Sequence, residues 1–273
     1  MGPGGLATHR GLVISPELLA IPFGLVIGLI VGTVGGGGAI LALPVLVYVL
    51  DEGVGPASTA SLIVVAIAAS VGAGVLAGRG EVCWRLALTF SAPAAVGTVV
   101  GTYANGQVSA KLLVLTFIPV MALAATATWR RAGTTKDDTV KPCPTPELRR
   151  VLLAATGVGV MTGFFGVGGG FLIVPVLTLR LNMCLRRAVA TSLVIITLTG
   201  LVALASHVVA DSSLNLSLTA SLAGATAIGA VAGTMVGRRL PQAILGRAFA
   251  VVVLSVAVFL LVDTLLLGGP PAA

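Results

Sequence analysis

The sequence GTVGGGGAI occupies residues 32–40, and GFFGVGGGF occupies residues 163–171. Both glycine-rich stretches lie inside long apolar segments. Glycine destabilises the interior of a helix by roughly 1 kcal/mol per residue relative to alanine, so consecutive glycines interrupt a helix. The same interruption therefore occurs twice in this chain, 131 residues apart, and it requires a physical explanation.

The composition indicates the class of protein. Apolar residues make up 57% of the chain and charged residues only 9%, and the mean hydropathy is +1.11. A soluble domain carries about 25% charged residues. Apolar runs recur to the end of the chain, so a cleavable signal peptide does not account for them. We predict an all-α polytopic membrane protein, because the strands of a membrane β-barrel would alternate with a period of two.

Charge and motif content argue against several other functions. The formal net charge is +7, but the Lys and Arg residues lie in loops, where they orient a membrane protein, so we expect no nucleic-acid partner. Cys83, Cys143 and Cys184 are scattered, and they predict neither a metal site nor a disulfide framework. The sequence shows no P-loop lysine, nucleophile motif or cluster of His, Asp and Glu. We therefore expect no enzymatic activity, no metal and no cofactor.

The apolar segments form two sets of five, separated by a polar loop at 130–147. We predict a first repeat at residues 17–129, a cytoplasmic linker at 130–147 and a second repeat at 148–267. The predicted segments are about 17–34, 39–50, 57–78, 86–104 and 111–129 in the first repeat, and 148–165, 170–179, 188–209, 214–236 and 246–267 in the second.

The two sets match in sequence as well as in number. Residues 28–62 align with residues 159–193 without a gap, and the alignment keeps glycines, a proline and several leucines in register. It also pairs Ser61 with Ser192. A glycine-rich chain aligns a few glycines by chance, but it rarely keeps four residue types in register over such a length. The pattern therefore indicates an internal duplication.

Loop charges predict that the duplicated halves have opposite orientation. Cytoplasmic loops gather Lys and Arg, so we place the basic loops inside and the acidic loops outside. The equivalent loops 51–55 and 180–187 carry opposite charge, so the repeat is inverted, with a pseudo-two-fold axis in the membrane plane. Both termini are then outside. The basic loops are 79–85, 130–150, 180–187 and 238–247, and the acidic ones are 51–55 and the loop containing Asp211.

The same scheme explains the glycine interruptions. Segments 148–165 and 170–179 must together begin and end on the cytoplasmic side, and the second is too short to span a bilayer, which requires about 20 residues. Each repeat is therefore predicted to contain a glycine-broken re-entrant helix pair plus three spanning helices. In transporters built from inverted repeats, the broken helices meet at the substrate site.

We predict an anion site where the two breaks meet. A helix N-terminus presents free N–H groups and a partial positive charge, and short helices are expected to begin at Ala39 and Gly170. Backbone N–H groups and small hydroxyls would bind the anion. The candidate site residues are Gly35, Gly36, Gly37, Gly38, Ala39, Ser61, Gly166, Gly168, Gly169, Gly170, Thr191 and Ser192.

Close helix packing is the alternative role for glycine in a membrane helix, because small residues spaced by four allow two backbones to approach. We favour this role for Gly28, Gly32, Gly159 and Gly163, which have that spacing. Packing does not require consecutive glycines, so the runs at 35–38 and 168–170 favour the anion site.

The paired motifs GLIVGTVGGGGAILALPVL (28–46) and GVMTGFFGVGGGFLIVPVL (159–177), each followed by an A-x-x-x-S-L segment, resemble the sulfite exporter TauE/SafE family of membrane permeases. The resemblance covers nearly the whole chain. It implies transport of a small sulfur-containing anion, such as sulfite, sulfoacetate or a related organosulfonate, across a prokaryotic plasma membrane. Two mechanisms remain open: an alternating-access carrier coupled to protons or a counter-anion, and an anion channel or permeation subunit.

The predicted topology places both termini outside and residues 130–150 inside. A cysteine introduced at Asp138 of a cysteine-free variant is expected to react with a membrane-impermeant maleimide only after the membrane is permeabilised. Labelling of residue 138 in intact cells would contradict the whole scheme.

Overall fold

The computed structural model describes residues 16–50, 52, 54–105, 108, 110–134, 142–144, 147–165, 170–208 and 216–264, and the regular structure of this part is helical throughout. Short turns of other helix types flank α2, a 3-10 turn at Gly36–Gly38 and a π-helical turn at Val45–Val49. The α-helices are α1 (Pro16–Val34), α2 (Ala39–Pro44), α3 (Val54–Ala77), α4 (Trp84–Asn105), α5 (Ala110–Thr134), α6 (Leu148–Phe165), α7 (Gly170–Leu179), α8 (Leu185–Val208), α9 (Leu216–Arg239) and α10 (Gln242–Val262).

The helices follow the predicted apolar segments. α2 and α7 begin at Ala39 and Gly170, as predicted from the sequence. Within the described ranges, six helices are long and apolar enough to cross a membrane, namely α3, α4, α6, α8, α9 and α10. Large apolar side chains such as Leu123 and Ile228 are 72% and 67% exposed on the outer surface, where lipid would cover them. These features confirm an all-α membrane protein.

α1 and α9 pack in parallel with their backbones almost in contact. A Cβ atom on Gly28 would overlap the carbonyl group of Thr226, and one on Gly32 would overlap the carbonyl oxygen of Ala230. The contact residues advance together along both helices, so the two helices run in the same direction. Glycine permits this approach, because any side chain at these positions would separate the helices.

α4 and α6 pack in the same way. A Cβ atom on Gly159 would overlap the carbonyl group of Ala94, and one on Gly163 would overlap the carbonyl oxygen of Thr98. These helices are also parallel, because residues four positions apart on α6 meet residues four positions apart on α4. The packing role predicted for the glycines spaced by four is therefore confirmed in both helix pairs.

α3 and α8 pack in opposite directions. The Cβ position of Gly72 on α3 is 3.1 Å from the Leu193 side chain, and the Cβ position of Gly200 on α8 is 3.2 Å from the Cβ atom of Ala66. Residues later in α3 thus contact residues earlier in α8, and the reverse. The two helices are antiparallel.

α5 and α10 are antiparallel as well. The Cβ position of Gly246, near the start of α10, is 2.8 Å from the Cβ atom of Ala132, near the end of α5. One residue further along α10, the guanidinium of Arg247 lies 5.8 Å from the ring centre of Trp129, which precedes Ala132 on α5. This contact also places an aromatic ring and a cation together near the ends of two apolar helices.

Cys83 and Cys143 form a disulfide with a Cα–Cα distance of 5.8 Å. The expectation of no disulfide framework was therefore wrong. Cys83 immediately precedes α4, and Cys143 lies five residues before α6. Because α4 and α6 pack in parallel, their N-terminal ends lie side by side and bring the two cysteines together. Sequence spacing contains no trace of this parallel pairing.

The basic connections between helices meet on one face of the molecule, which we call the basic face. The side chain of Arg131, at the end of α5, donates a hydrogen bond to Asn182 Oδ1 over 3.2 Å. The N–H of Leu185 donates to Gln242 Oε1 over 3.0 Å. The disulfide joins the α3–α4 connection to the segment before α6 at this same face. Loops that were predicted to share one side of the membrane therefore lie together.

The opposite face contains the turn after α2 and the end of α10. The hydroxyl of Tyr48 donates a hydrogen bond to Asp263 Oδ2 over 2.9 Å, which joins the π-helical turn after α2 to the end of α10. A small apolar cluster nearby contains Ala20, Leu46 and Leu218. The two faces are thus separated by the length of the helices.

Helix α6 offers a matched test of the backbone packing. Gly159→Ala should destabilise the protein by about 1–3 kcal/mol, the usual cost of overpacking, because its Cβ meets the α4 backbone. Gly157→Ala, two residues earlier, meets open space and should be neutral or slightly stabilising, because alanine is the better helix former. Thermal unfolding in detergent measures both variants, and equal melting temperatures would contradict the packing role.

Candidate functional site

The first glycine run folds the chain sharply at the end of α1. Gly35 has φ +79°, a conformation that L-amino acids with side chains rarely adopt, and its N–H donates to the Val31 carbonyl over 2.8 Å. The next three glycines form the 3-10 turn, and α2 then begins at Ala39. The break therefore requires a glycine at position 35 because of the positive φ angle. The glycines that follow it are required for a second reason.

That reason is close approach to the second break. A Cβ atom on Gly36 would overlap the carbonyl group of Gly170, the first residue of α7. Conversely, a Cβ atom on Gly170 would lie 2.8 Å from the Cα atom of Gly36 and 2.9 Å from Ile196 Cδ1. Two chain segments more than 130 residues apart thus meet backbone to backbone. We call Gly35–Gly38 together with Gly170 the glycine junction.

The wall of the glycine junction is formed by α7 and α8. The Cβ position of Gly35 is 2.8 Å from Ser192 Oγ and 3.2 Å from Val174 Cγ2. Ser192 is fully buried, and its hydroxyl donates a hydrogen bond to the Val189 carbonyl over 2.8 Å. Ser192 therefore lies at the first break, and its Oγ atom faces the backbone of Gly35.

The other candidate residues have different surroundings. Thr191 is fully buried, and its Oγ1 accepts a hydrogen bond from the N–H of Cys83 over 3.2 Å, which fixes α8 against the start of α4. Ser61 lies half-buried on α3. Ala39 begins α2, and the structure describes its backbone alone. The predicted site residues that lie outside the described ranges are Gly166, Gly168 and Gly169.

Two phenylalanines that the sequence analysis did not identify pack on the breaks. The ring of Phe249 on α10 lies 3.1 Å from the Cβ position of Gly37. Phe117 on α5 packs on Phe165, before the second break, at 4.8 Å between ring centres, and on Phe171, after it, at 5.3 Å. The duplicated sequence contained a signal for these two rings. Phe117 and Phe249 are separated by the same number of residues as Gly97 and Gly229, so they occupy equivalent positions in the two repeats.

A buried ion pair lies between the glycine junction and the basic face. Glu81 Oε1 is 2.8 Å from Arg238 Nε, and the glutamate side chain is 10% exposed. Burial raises the pKa of Glu81, and the positive charges of Arg186, Arg79 and Arg187 oppose this rise. The sequence analysis missed this pair, because charge spacing along the chain does not reveal which loops meet.

Among the described residues, no group of three or more His, Cys, Asp or Glu side chains is placed to hold a metal ion. The polar groups that the described residues place at the glycine junction are backbone amides and the Ser192 hydroxyl. Such groups recognise hydrogen-bond acceptors, and backbone N–H groups at a helix start favour anions.

Comparison with known proteins gives a consistent result. The model of a family described as "Sulfite exporter TauE/SafE" matches residues 20–260. A probable membrane transporter protein of Xylella fastidiosa (strain 9a5c) is 29% identical over 257 residues, which cover 92% of this chain and 97% of that protein. A probable membrane transporter protein of Methanocaldococcus jannaschii is 27% identical over 209 residues, which cover 71% of this chain and 75% of that protein. No solved structure matches this chain significantly.

Gly36→Ala should disrupt the glycine junction, because its Cβ would overlap the Gly170 carbonyl group, which is backbone and not the end of a flexible side chain. We expect a loss of about 3 kcal/mol or more in stability, above the usual range for overpacking, where side chains can yield. Gly74→Ala on α3 meets open space and is the matched control. Thermal unfolding in detergent reports both, and a wild-type melting temperature for Gly36→Ala would refute the close backbone contact.

Proposed function

Because the chain belongs to the sulfite exporter TauE/SafE family, we propose that it is a carrier for a small sulfur-containing anion, such as sulfite, sulfoacetate or a related organosulfonate. The anion crosses the prokaryotic plasma membrane by alternating access and binds at the glycine junction. The observation that carries this proposal is the backbone contact between Gly36 and Gly170, which joins the two chain breaks.

The helix directions support an inverted repeat. α3 and α8 occupy equivalent positions in the duplicated sequence, as do α5 and α10. The two members of each pair pack antiparallel in this fold. Equivalent helices that run in opposite directions are related by an axis perpendicular to them, which is an axis in the membrane plane. Carriers with this symmetry place the substrate near the bilayer midplane, where broken helices meet.

The basic face supports a re-entrant pair in the second repeat. α6 starts near Cys143 and α7 ends near Asn182, and both segments lie at the basic face through the disulfide and the Arg131 hydrogen bond. The pair then enters and leaves the membrane on one side, which the excess of Lys and Arg assigns to the cytoplasm. Thiols are kept reduced there. In cells, the Cys83–Cys143 pair is then expected as two thiols.

The site consists of backbone N–H groups that follow the breaks, together with one serine from each repeat. Ser192 faces Gly35, because its Oγ atom lies 2.8 Å from the Cβ position of that glycine. The pseudo-two-fold axis relates Gly35 to Gly166 and Ser192 to Ser61, so Ser61 would face the second break in the same way. Gly168 and Gly169 would complete the site by the same symmetry.

Transport by purified protein in liposomes tests this function. Sulfite, sulfate, thiosulfate, sulfoacetate and taurine are screened as substrates, and saturable uptake with counterflow is expected for at least one sulfur-containing anion. Conductance far above the turnover of a carrier would indicate a channel instead. If none of these compounds is transported, the proposed substrate class is wrong.

The serine pair gives a residue-level test. If both hydroxyls donate to the bound anion, for which Ser192 exchanges its hydrogen bond to the Val189 carbonyl, Ser192→Ala and Ser61→Ala should each weaken binding by about 1–3 kcal/mol, the range for hydrogen bonds to a charged group. Ser70→Ala is the control, because Ser70 lies exposed on α3 and donates to the Ile67 carbonyl of its own helix. Anion affinity is measured by calorimetry on purified protein. Unchanged affinity in the double alanine variant would make both serines packing residues.

A further inference from the structure

Glu81, Arg186 and Arg238 form a partly buried cluster of charged side chains outside the proposed anion site. Glu81 lies in the α3–α4 connection, Arg186 in the first turn of α8 and Arg238 in the last turn of α9. Glu81 binds Arg238 Nε over 2.8 Å, and Arg186 donates from Nη2 to the Arg238 carbonyl over 3.0 Å. The cluster therefore joins one loop of the first predicted repeat to two helices of the second.

Two polar atoms of this cluster are buried without a hydrogen-bond partner. They are Glu81 Oε2 and Arg186 Nε. Both residues line the same cavity, whose volume of about 10 Å³ is close to that of a single water-sized sphere. Buried polar atoms in folded proteins are nearly always hydrogen-bonded, so an acceptor and a donor that both lack partners beside a cavity require an explanation.

The cavity lies directly behind the glycine junction. Its lining includes Thr33, two residues before Gly35, and Val189, whose Cα atom is 3.5 Å from the Cβ position of Gly35. The Val189 carbonyl also accepts the hydrogen bond from the Ser192 hydroxyl. One layer of side chains thus separates the charged cluster from the proposed anion site.

The cluster also lies on the way in from the basic face. Arg238 is 37% exposed, whereas Glu81, its partner, is 10% exposed. An anion that approaches from this face meets Arg238 first and finds its guanidinium occupied by a carboxylate of the protein itself. Carboxylate and sulfonate groups present similar oxygen acceptors to a guanidinium, so the two compete for the same donors.

We propose that Glu81, Arg186 and Arg238 form a proton-operated entrance, in which protonation of Glu81 frees Arg238 to bind the incoming anion beside Arg186. The proton adds to a Glu81 carboxylate oxygen, and the ion pair with Arg238 is replaced by an ion pair between Arg238 and the anion. Loss of the proton restores the original pair and releases the anion. The inference rests on the proposed function, since it assigns the proton as the coupling ion of that carrier.

The charges around Glu81 allow such a titration. Arg79 on its own connection, Arg186 and Arg187 on α8 and Arg238 on α9 face it. α1 and α10 contribute uncharged residues to the cavity. Burial raises the pKa of Glu81 against the opposing effect of the arginines. The side chain therefore takes up its proton at a higher pH than an ordinary glutamate, and the entrance opens as the pH falls through that range.

A thiol probe beside the entrance tests the inference without any transported substrate. In a variant that lacks Cys83, Cys143 and Cys184, Leu240→Cys places one reactive thiol next to the cluster, because Leu240 is half-buried and its carbonyl accepts a hydrogen bond from Arg186 over 3.4 Å. Two methanethiosulfonate reagents are compared, one with an anionic sulfonate group and one with a cationic trimethylammonium group. The ratio of their reaction rates cancels the effect of pH on the thiol itself and reports the preference of the entrance for anions.

The ratio is expected to rise about tenfold or more as the pH is lowered from about 8 to about 5. Glu81→Gln should hold the ratio high at every pH. Glu147→Gln removes the exposed ion pair with Arg150 and should retain the response to pH, which makes it the matched control. Arg238→Gln should hold the ratio low at every pH, and it serves as the second test if Glu81→Gln does not fold.

A ratio that does not change with pH, or a pH response retained in Glu81→Gln, would overturn the proton-operated entrance. The proposed function fails separately, when none of the screened sulfur compounds is transported. Normal uptake together with a pH-independent ratio would therefore support the proposed function and refute the proton-operated entrance.

Discussion

The rest of the structure depends on the contact between the backbones of Gly36 and Gly170. No side chain fits at Gly36, because its Cβ would overlap the carbonyl group of the facing glycine. The contact places the 3-10 turn after α1 directly against the first turn of α7. Non-helical backbone at membrane depth must be buried in protein or line a cavity, and the glycine junction meets this condition by burying one break against the other.

The helices that precede the two breaks, α1 and α6, are held by a second set of glycine contacts. α1 packs along α9, and α6 packs along α4, so each of them contacts a helix of the other predicted repeat. Lipid provides no hydrophobic force between helices, and close van der Waals packing of small residues has to stabilise such pairs. The glycines spaced by four thus fix the frame, and the consecutive glycines form the junction within it.

Among the described residues, charged side chains lie towards the helix ends, and one ion pair joins the two predicted repeats there. The ion pair between Glu81 and Arg238 lies within one layer of side chains of the glycine junction and is mostly shielded from solvent. Breaking a buried ion pair leaves an uncompensated charge, so such a pair favours one arrangement of the parts it joins. In the proposed entrance, protonation of Glu81 removes the carboxylate charge and with it that preference, so that a proton would shift the equilibrium between the two arrangements of a carrier.

Composition and local spacing were enough to predict the membrane class, the ten apolar segments, the start of the short helices at Ala39 and Gly170 and the packing role of the glycines spaced by four. The duplicated motif also made Ser192 a candidate site residue, but its position against Gly35 of the first break became visible only in the fold. Only the tertiary structure decided which chain segments meet: the Cys83–Cys143 disulfide follows from the parallel packing of α4 and α6, and the Glu81–Arg238 pair from the meeting of two loops. Local periodicity reports which face of a helix is apolar, but the choice of partner depends on the shape of two surfaces distant in sequence.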